Sequence, residues 1–164
     1  MIKFCSALDD SWLTVPPVGI GPSAAADRFL TVSEPRIRVD LSRSNDEFYQ
    51  FEAAFLWSKY LVIGWGSSCY LVELASRSVK QIPLGAYFGY LYPAKGYLLI
   101  ASGERLIRVN PRGKEVWRSD ILGLDGVMVH EVLDNIIRGE GEWDPPNGWR
   151  SFRVCLVTGR LLTL

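Results

Sequence analysis

The sequence predicts an all-β fold, mainly antiparallel, made of about three consecutive hairpin units of three or four strands behind an N-terminal extension. Two observations predict it. The apolar segments are short, rich in Val, Ile, Tyr, Phe and Trp, and bounded by Gly, Pro, Asn and Ser, which is the chemistry of strands and turns. Tyr60-Leu61-Val62-Ile63-Gly64 is also echoed by Tyr97-Leu98-Leu99-Ile100-Ala101 and by Asp134-Asn135-Ile136-Ile137-Arg138, so that Ile63, Ile100 and Ile137 recur 37 residues apart. A twisted β-sandwich is the alternative architecture. At 164 residues the chain has the length of one domain.

Residues 1–50 stand outside the repeat and read as an irregular extension. Pro16-Pro17, Gly19, Gly21-Pro22 and Ser23-Ala24-Ala25-Ala26 are loop-like, and only Phe29 to Val32 and Arg36 to Leu41 have strand character. The second of these alternates strictly and places Ile37, Val39 and Leu41 on one face. Tyr49, Phe51, Ala53, Phe55 and Trp57 then alternate with more polar neighbours, which favours a half-buried strand. Ser44-Asn45-Asp46-Glu47 has the form of a capping box, so a short helix from Asn45 competes with it. From about residue 51 to 164 each anchor is followed by a turn of small residues and a second apolar strand: Cys69 to Leu74, Arg105 to Val109, and Phe152 to Leu156.

Two of these units carry a further pattern. Leu106-Ile107-Arg108-Val109-Asn110-Pro111-Arg112-Gly113-Lys114-Glu115-Val116-Trp117 places a glycine turn between an apolar strand and a strand ending in Trp. Val154-Cys155-Leu156-Val157-Thr158-Gly159-Arg160-Leu161 repeats the theme with its own Thr-Gly. Over residues 55–164 this resembles the repeat of PQQ-type β-propellers, in which an apolar strand ends in Asp and a Thr-Gly-Lys turn leads to a strand ending in Trp. Here Asn110 stands for the Asp, the turn before Gly113 is one residue short, and the Trp is absent after Ser78 and Gly159. The resemblance implies an incomplete propeller with blade-like units, since about three repeats fall short of the four to eight of a closed ring. It carries over no cofactor-binding residue, and no cofactor is expected. In such a hairpin Gly113 and Gly159 supply a positive φ, and Trp117 packs between adjacent units.

Charge narrows the function. Eighteen Lys plus Arg balance 18 Asp plus Glu, which leaves no basic footprint for nucleic acid and no charged face for a membrane. No stretch approaches the about 18 apolar residues of a membrane span, and Asp9 and Asp10 interrupt the start before an apolar leader core forms. Cys5, Cys69 and Cys155 are odd in number and widely spaced, which suggests free thiols in a cytoplasmic, reducing setting. Phosphate loops, dinucleotide fingerprints, HExxH and GxSxG are absent. His130, the one histidine, cannot furnish the clustered imidazoles of a usual zinc site. As a strand, Val127 to Leu133 would place it opposite Val127 and Val129, alongside Met128 and Val132.

The richest segment is Arg138 to Arg150. As a strand it would set Glu140, Glu142 and Asp144 on one face, with alternate residues about 7 Å apart. That spacing suits acid–base or glycoside chemistry, or a hard cation, but equally a charged strand edge that deters edge pairing. Trp143 and Trp149 flank Pro145-Pro146-Asn147-Gly148, where the indoles would anchor a partner or a sugar, or else fix the loop to the sheet. The candidate binding residues are therefore Glu140, Glu142, Trp143, Asp144, Asn147 and Trp149. No catalytic or metal-ligating residue is assigned. The expectation is a non-enzymatic protein-interaction module whose partner is another protein. The alternative is a carbohydrate-binding or glycoside-hydrolysing protein. A concave pocket with two carboxylates and an indole would favour the sugar, and a flat exposed patch would favour the protein.

Overall fold

Short apolar strands separated by tight turns assemble here into four small sheets. The structure is a computed structural model that describes residues 1–44 and 51–163. The fold is all-β and mainly antiparallel, and among the described residues none of its sheets closes into a barrel. The chain divides into two compact units, Met1–Phe48 with Leu74–Ser78 and Tyr49–Glu73 with Val79–Leu164. This is a finer division than one domain with an irregular extension. The helix suggested from Asn45, and Tyr49 of the alternating segment, lie outside the described residues.

The first unit holds β1 (Ile2–Cys5), a single-turn helix α1 (Asp10–Leu13), β2 (Pro17–Ile20), β3 (Arg28–Val32) and β4 (Ile37–Leu41). Its sheet has the order β1-β3-β4-β2, with β2 alone running parallel to its neighbour. Two of these strands follow from alternation. Ile37, Val39 and Leu41 are buried, while Arg38 and Asp40 pair at 2.7 Å on the opposite face. Strand β2 lies in the segment that Pro16-Pro17, Gly19 and Gly21-Pro22 make look irregular, and β1 in a start without a strand signal; β1 pairs with β3, and β2 with β4.

In the second unit every sheet is a meander of strands consecutive in the chain. The first contains β5 (Ala53–Trp57), β6 (Tyr60–Trp65), β7 (Ser68–Glu73) and β8 (Val79–Pro83). The second contains β9 (Phe88–Pro93), β10 (Leu98–Ser102), β11 (Leu106–Val109) and β12 (Glu115–Arg118). The third has three strands, β13 (Val127–Leu133), β14 (Ile136–Glu142) and β15 (Trp149–Cys155). Ile63, Ile100 and Ile137 fall in β6, β10 and β14, the second strand of each sheet. Asp134 and Asn135, the opening of the third echo, form the β13–β14 turn instead, both with positive φ. That is the turn geometry that matches the twist of a hairpin.

The middle sheet explains why the apolar runs are continuous and do not alternate there. Leu98, Ile100, Ile107 and Val109 pack with Val62, Leu71 and Phe88 in one core. Leu99, Ala101 and Leu106, their neighbours in sequence, pack with Ile137, Phe152 and Val154 in another. Both faces of β10 are covered, so both parities must be apolar. Trp57 and Trp117 fasten successive sheets. The Trp57 indole N–H donates to the Ala94 carbonyl at 2.8 Å, and that of Trp117 donates to the Leu156 carbonyl at 2.8 Å. Gly113 and Gly159 have the positive φ expected of them, and Gly159 lies against the Trp117 ring.

Candidate functional site

Two β-bulges shape the surface between the second and third sheets. In β9, Tyr90 pairs with Ala101 and Phe88 with Ser102, which leaves Gly89 as the extra residue. The parity therefore changes along the strand, so that Phe88 and Leu91 both enter the core while Tyr90 faces out. In β13, Val129 pairs with Gly139 and Glu131 with Arg138, and His130 is the extra residue. Val132 consequently packs with Val129 on the core side. Simple alternation had placed Val132 with His130, and the bulge overturns that placement.

β9 and β13 are edge strands of their sheets, and the Tyr92 hydroxyl ties them by accepting the Val129 N–H at 3.0 Å. Beside this tie lies a cleft of about 610 Å³. Phe51, Tyr87, Tyr90, Tyr92 and Trp149 give it aromatic walls, with Met128 at its side. The Tyr90 and Tyr92 rings lie 5.0 Å apart, and those of Phe51 and Tyr87 lie 6.3 Å apart. Tyr90, Met128, Phe51 and Trp149 are all exposed large apolar side chains, an expensive surface to leave wet unless something covers it.

Backbone bonds build the floor. The N–H groups of Leu124 and Asp125 both donate to the Glu142 carbonyl, at 2.6 and 3.2 Å, and the Glu142 N–H donates to the Gly126 carbonyl at 2.9 Å. Trp149 lies opposite Glu142 across the β14–β15 pair, and its ring covers Gly126, where an added methyl would come within 3.0 Å of it. The Tyr87 hydroxyl donates to the Asp125 carbonyl at 2.7 Å. Burial, reinforced by the negative charges of Asp125 and Glu142, raises the Tyr87 phenol to about 12.

Two acids line this cleft, Glu142 and Asp125, and among the lining residues there is no Lys, Arg or His. Glu142 is only 7% exposed, and its Oε1 is buried with no hydrogen-bond partner among the described residues. A carboxylate oxygen deprived of water and of a donor carries a full desolvation penalty until a positive or donor group approaches.

The six residues singled out in the sequence are not brought together. Glu142 and Trp149 line the cleft. Glu140 lies in a separate, more open depression of about 500 Å³ with Arg138 and Arg153, where its Oε2 is 3.2 Å from His130 Nε2. Trp143 faces a smaller hollow with Leu122, and the Arg150 guanidinium lies 5.9 Å from its ring centroid. Asp144 and Asn147 are exposed in the turn beyond β14, which the Asp144 carbonyl closes by accepting the Gly148 N–H at 2.8 Å. Strand β14 ends at Glu142, so no single face presents all three acids. Among the described residues, no group of three or more His, Cys, Asp or Glu is arranged to hold a metal ion. Sequence reading missed Phe51, Tyr87, Tyr90, Tyr92 and Asp125. The clustering of Tyr87, Tyr90 and Tyr92 was a readable signal, and Phe51 and Asp125 come from distant segments that only the fold brings together. No protein-family model matches the chain, and no curated protein matches it at a significant level.

Proposed function

We propose that the protein is a non-enzymatic protein-interaction module that receives its partner in the aromatic cleft between β9 and β13. One observation carries the reading: four exposed apolar side chains, Phe51, Tyr90, Met128 and Trp149, converge on a single concavity. Aromatic rings and Met are the side chains that interface centres favour, because they bury much apolar area at low entropic cost. Three consecutive meander sheets joined by Trp57 and Trp117 support an open array of blade-like repeats as the scaffold. The free thiols of Cys5, Cys69 and Cys155 support a cytoplasmic setting.

A second reading is favoured by the same concavity. It holds an indole and two carboxylates, Trp149 with Glu142 and Asp125, which is the composition expected of a sugar site. The protein reading is preferred because the exposed lining is mainly apolar, from Phe51, Tyr90, Met128 and Trp149. The Ser102 hydroxyl is engaged by the Glu104 and Arg105 N–H groups and the Tyr87 hydroxyl by the Asp125 carbonyl, and the two carboxylates are the acceptors that a sugar would have to use.

A photo-crosslinking residue at Tyr90, compared with one at the equally exposed Val157, tests the reading in the native cell. A discrete protein adduct from position 90 and none from 157 is the expected result. Adducts from both positions alike, or binding of the purified protein to a glycan array, would overturn it.

A further inference from the structure

We infer that the group seated in this cleft is an organic cation, the guanidinium or ammonium of a basic side chain presented by the partner protein. This deepens the binding reading above and rests on it. The first observation is the wall chemistry. Aromatic faces carry negative potential and attract cations placed over them, and the cleft offers Tyr87, Tyr90, Tyr92, Phe51 and Trp149 around one space. The second is independent of the first. Glu142, which lines the same cleft, is buried with Oε1 lacking any partner among the described residues, and a lone buried carboxylate oxygen is uncommon enough in a folded protein to need an explanation. Asp125 adds a second negative group at the rim, and no lining residue supplies a positive charge to answer either acid.

Among the described residues the two acids of the cleft are thus unanswered, and a cation seated over the rings would supply the partner that Glu142 lacks. A neutral apolar side chain would fill the space but leave Glu142 uncompensated. An anionic one would meet both acids and the negative ring faces. The raised phenol of Tyr87 is compatible with the same picture: burial is its main cause, and the negative charges of Asp125 and Glu142 add to it. A basic side chain answers the rings and the carboxylates together, by charge as well as by hydrogen bonding.

The full chain, titrated by ¹⁵N NMR, tests this with three capped tripeptides of the form Gly-X-Gly, where X is arginine, lysine or the neutral isostere citrulline. Arginine and lysine peptides are expected to shift the amides of Tyr90, Gly126 and Met128, and citrulline to bind at least about tenfold more weakly. Glu142→Gln and Asp125→Asn should each weaken the arginine peptide. Asp125 is exposed, so its variant remains informative even if Glu142→Gln disturbs the fold. Equal shifts from citrulline, or none from either cation at millimolar concentration, would overturn the inference. If the Tyr90 crosslink persists in those cases, the protein-binding reading stands and only the cationic occupant is lost. If the crosslink is absent as well, both fall.

Discussion

Trp117 shows how much one side chain contributes to holding this protein together. It is 9% exposed, donates its indole N–H to Leu156 and lies against Gly159, so its ring belongs to the core shared by the second and third sheets. Trp117→Ala should lower stability by about 3–5 kcal/mol, the range for truncating a large buried aromatic, as measured by denaturant midpoint at unchanged slope. Two of the thiols differ in the same local way. Hydrogen bonds from the Thr158 side chain, then from the Thr158 and Val157 backbone, lower the Cys155 thiol, whereas complete burial raises that of Cys69. Iodoacetamide near neutral pH is therefore expected to label Cys155 in the folded chain and Cys69 only after unfolding, read by peptide mass spectrometry. Tyr87 is the third case. Its phenol holds the proton more tightly in the folded chain, so the stability it contributes is complete below its ordinary value of 10.0 and is lost as the pH rises through about 12. Tyr87→Phe should flatten the fall in stability across that alkaline window.

Elements were legible where alternation or turn chemistry is strictly local. The 37-residue recurrence of Ile63, Ile100 and Ile137 marks the second strand of three successive sheets, and Gly113 and Gly159 take the positive φ their hairpins require. What could not be read from the sequence is the change of parity at a bulge. One extra residue, Gly89 in β9 and His130 in β13, reverses which side chains face the core. A period of two, extended across either position, assigns the rest of the strand to the wrong face. Both bulges border the cleft, so alternation fails at the place where function is inferred. The third hairpin offers a test of turn chemistry. Asp134 and Asn135 both have positive φ, which a β-branched residue tolerates poorly. Asn135→Val should cost about 1–2 kcal/mol, whereas Asn135→Gly should be neutral or slightly stabilising, both by thermal melting.

At the scale of the molecule, the candidate site is a product of topology. Its residues come mainly from the approach to β5, from β9 and the residue before it, from the 125–126 turn, from β13 and from the β14–β15 hairpin, and they meet because successive meanders stack on shared cores. Only Glu142 and Trp149 of the sequence candidates reach it. The acidic, aromatic character of the 138–150 segment was visible in the chain, but the strand ends at Glu142 and disperses the other four. Among the described residues no helix is long and apolar enough to cross a membrane. The proposed role of the exposed apolar side chains of the cleft is contact with a partner protein. The most direct measurement takes Trp149→Ala through two readouts, denaturant stability and yield of the Tyr90 photo-crosslink. Trp149 is 36% exposed and sits at the mouth of the cleft, so the expected result is stability within about 1 kcal/mol of the parent with the protein adduct lost. Unfolding of Trp149→Ala would show that the indole is a staple of the fold, and an undiminished adduct in a folded Trp149→Ala would show that the cleft does not receive the partner.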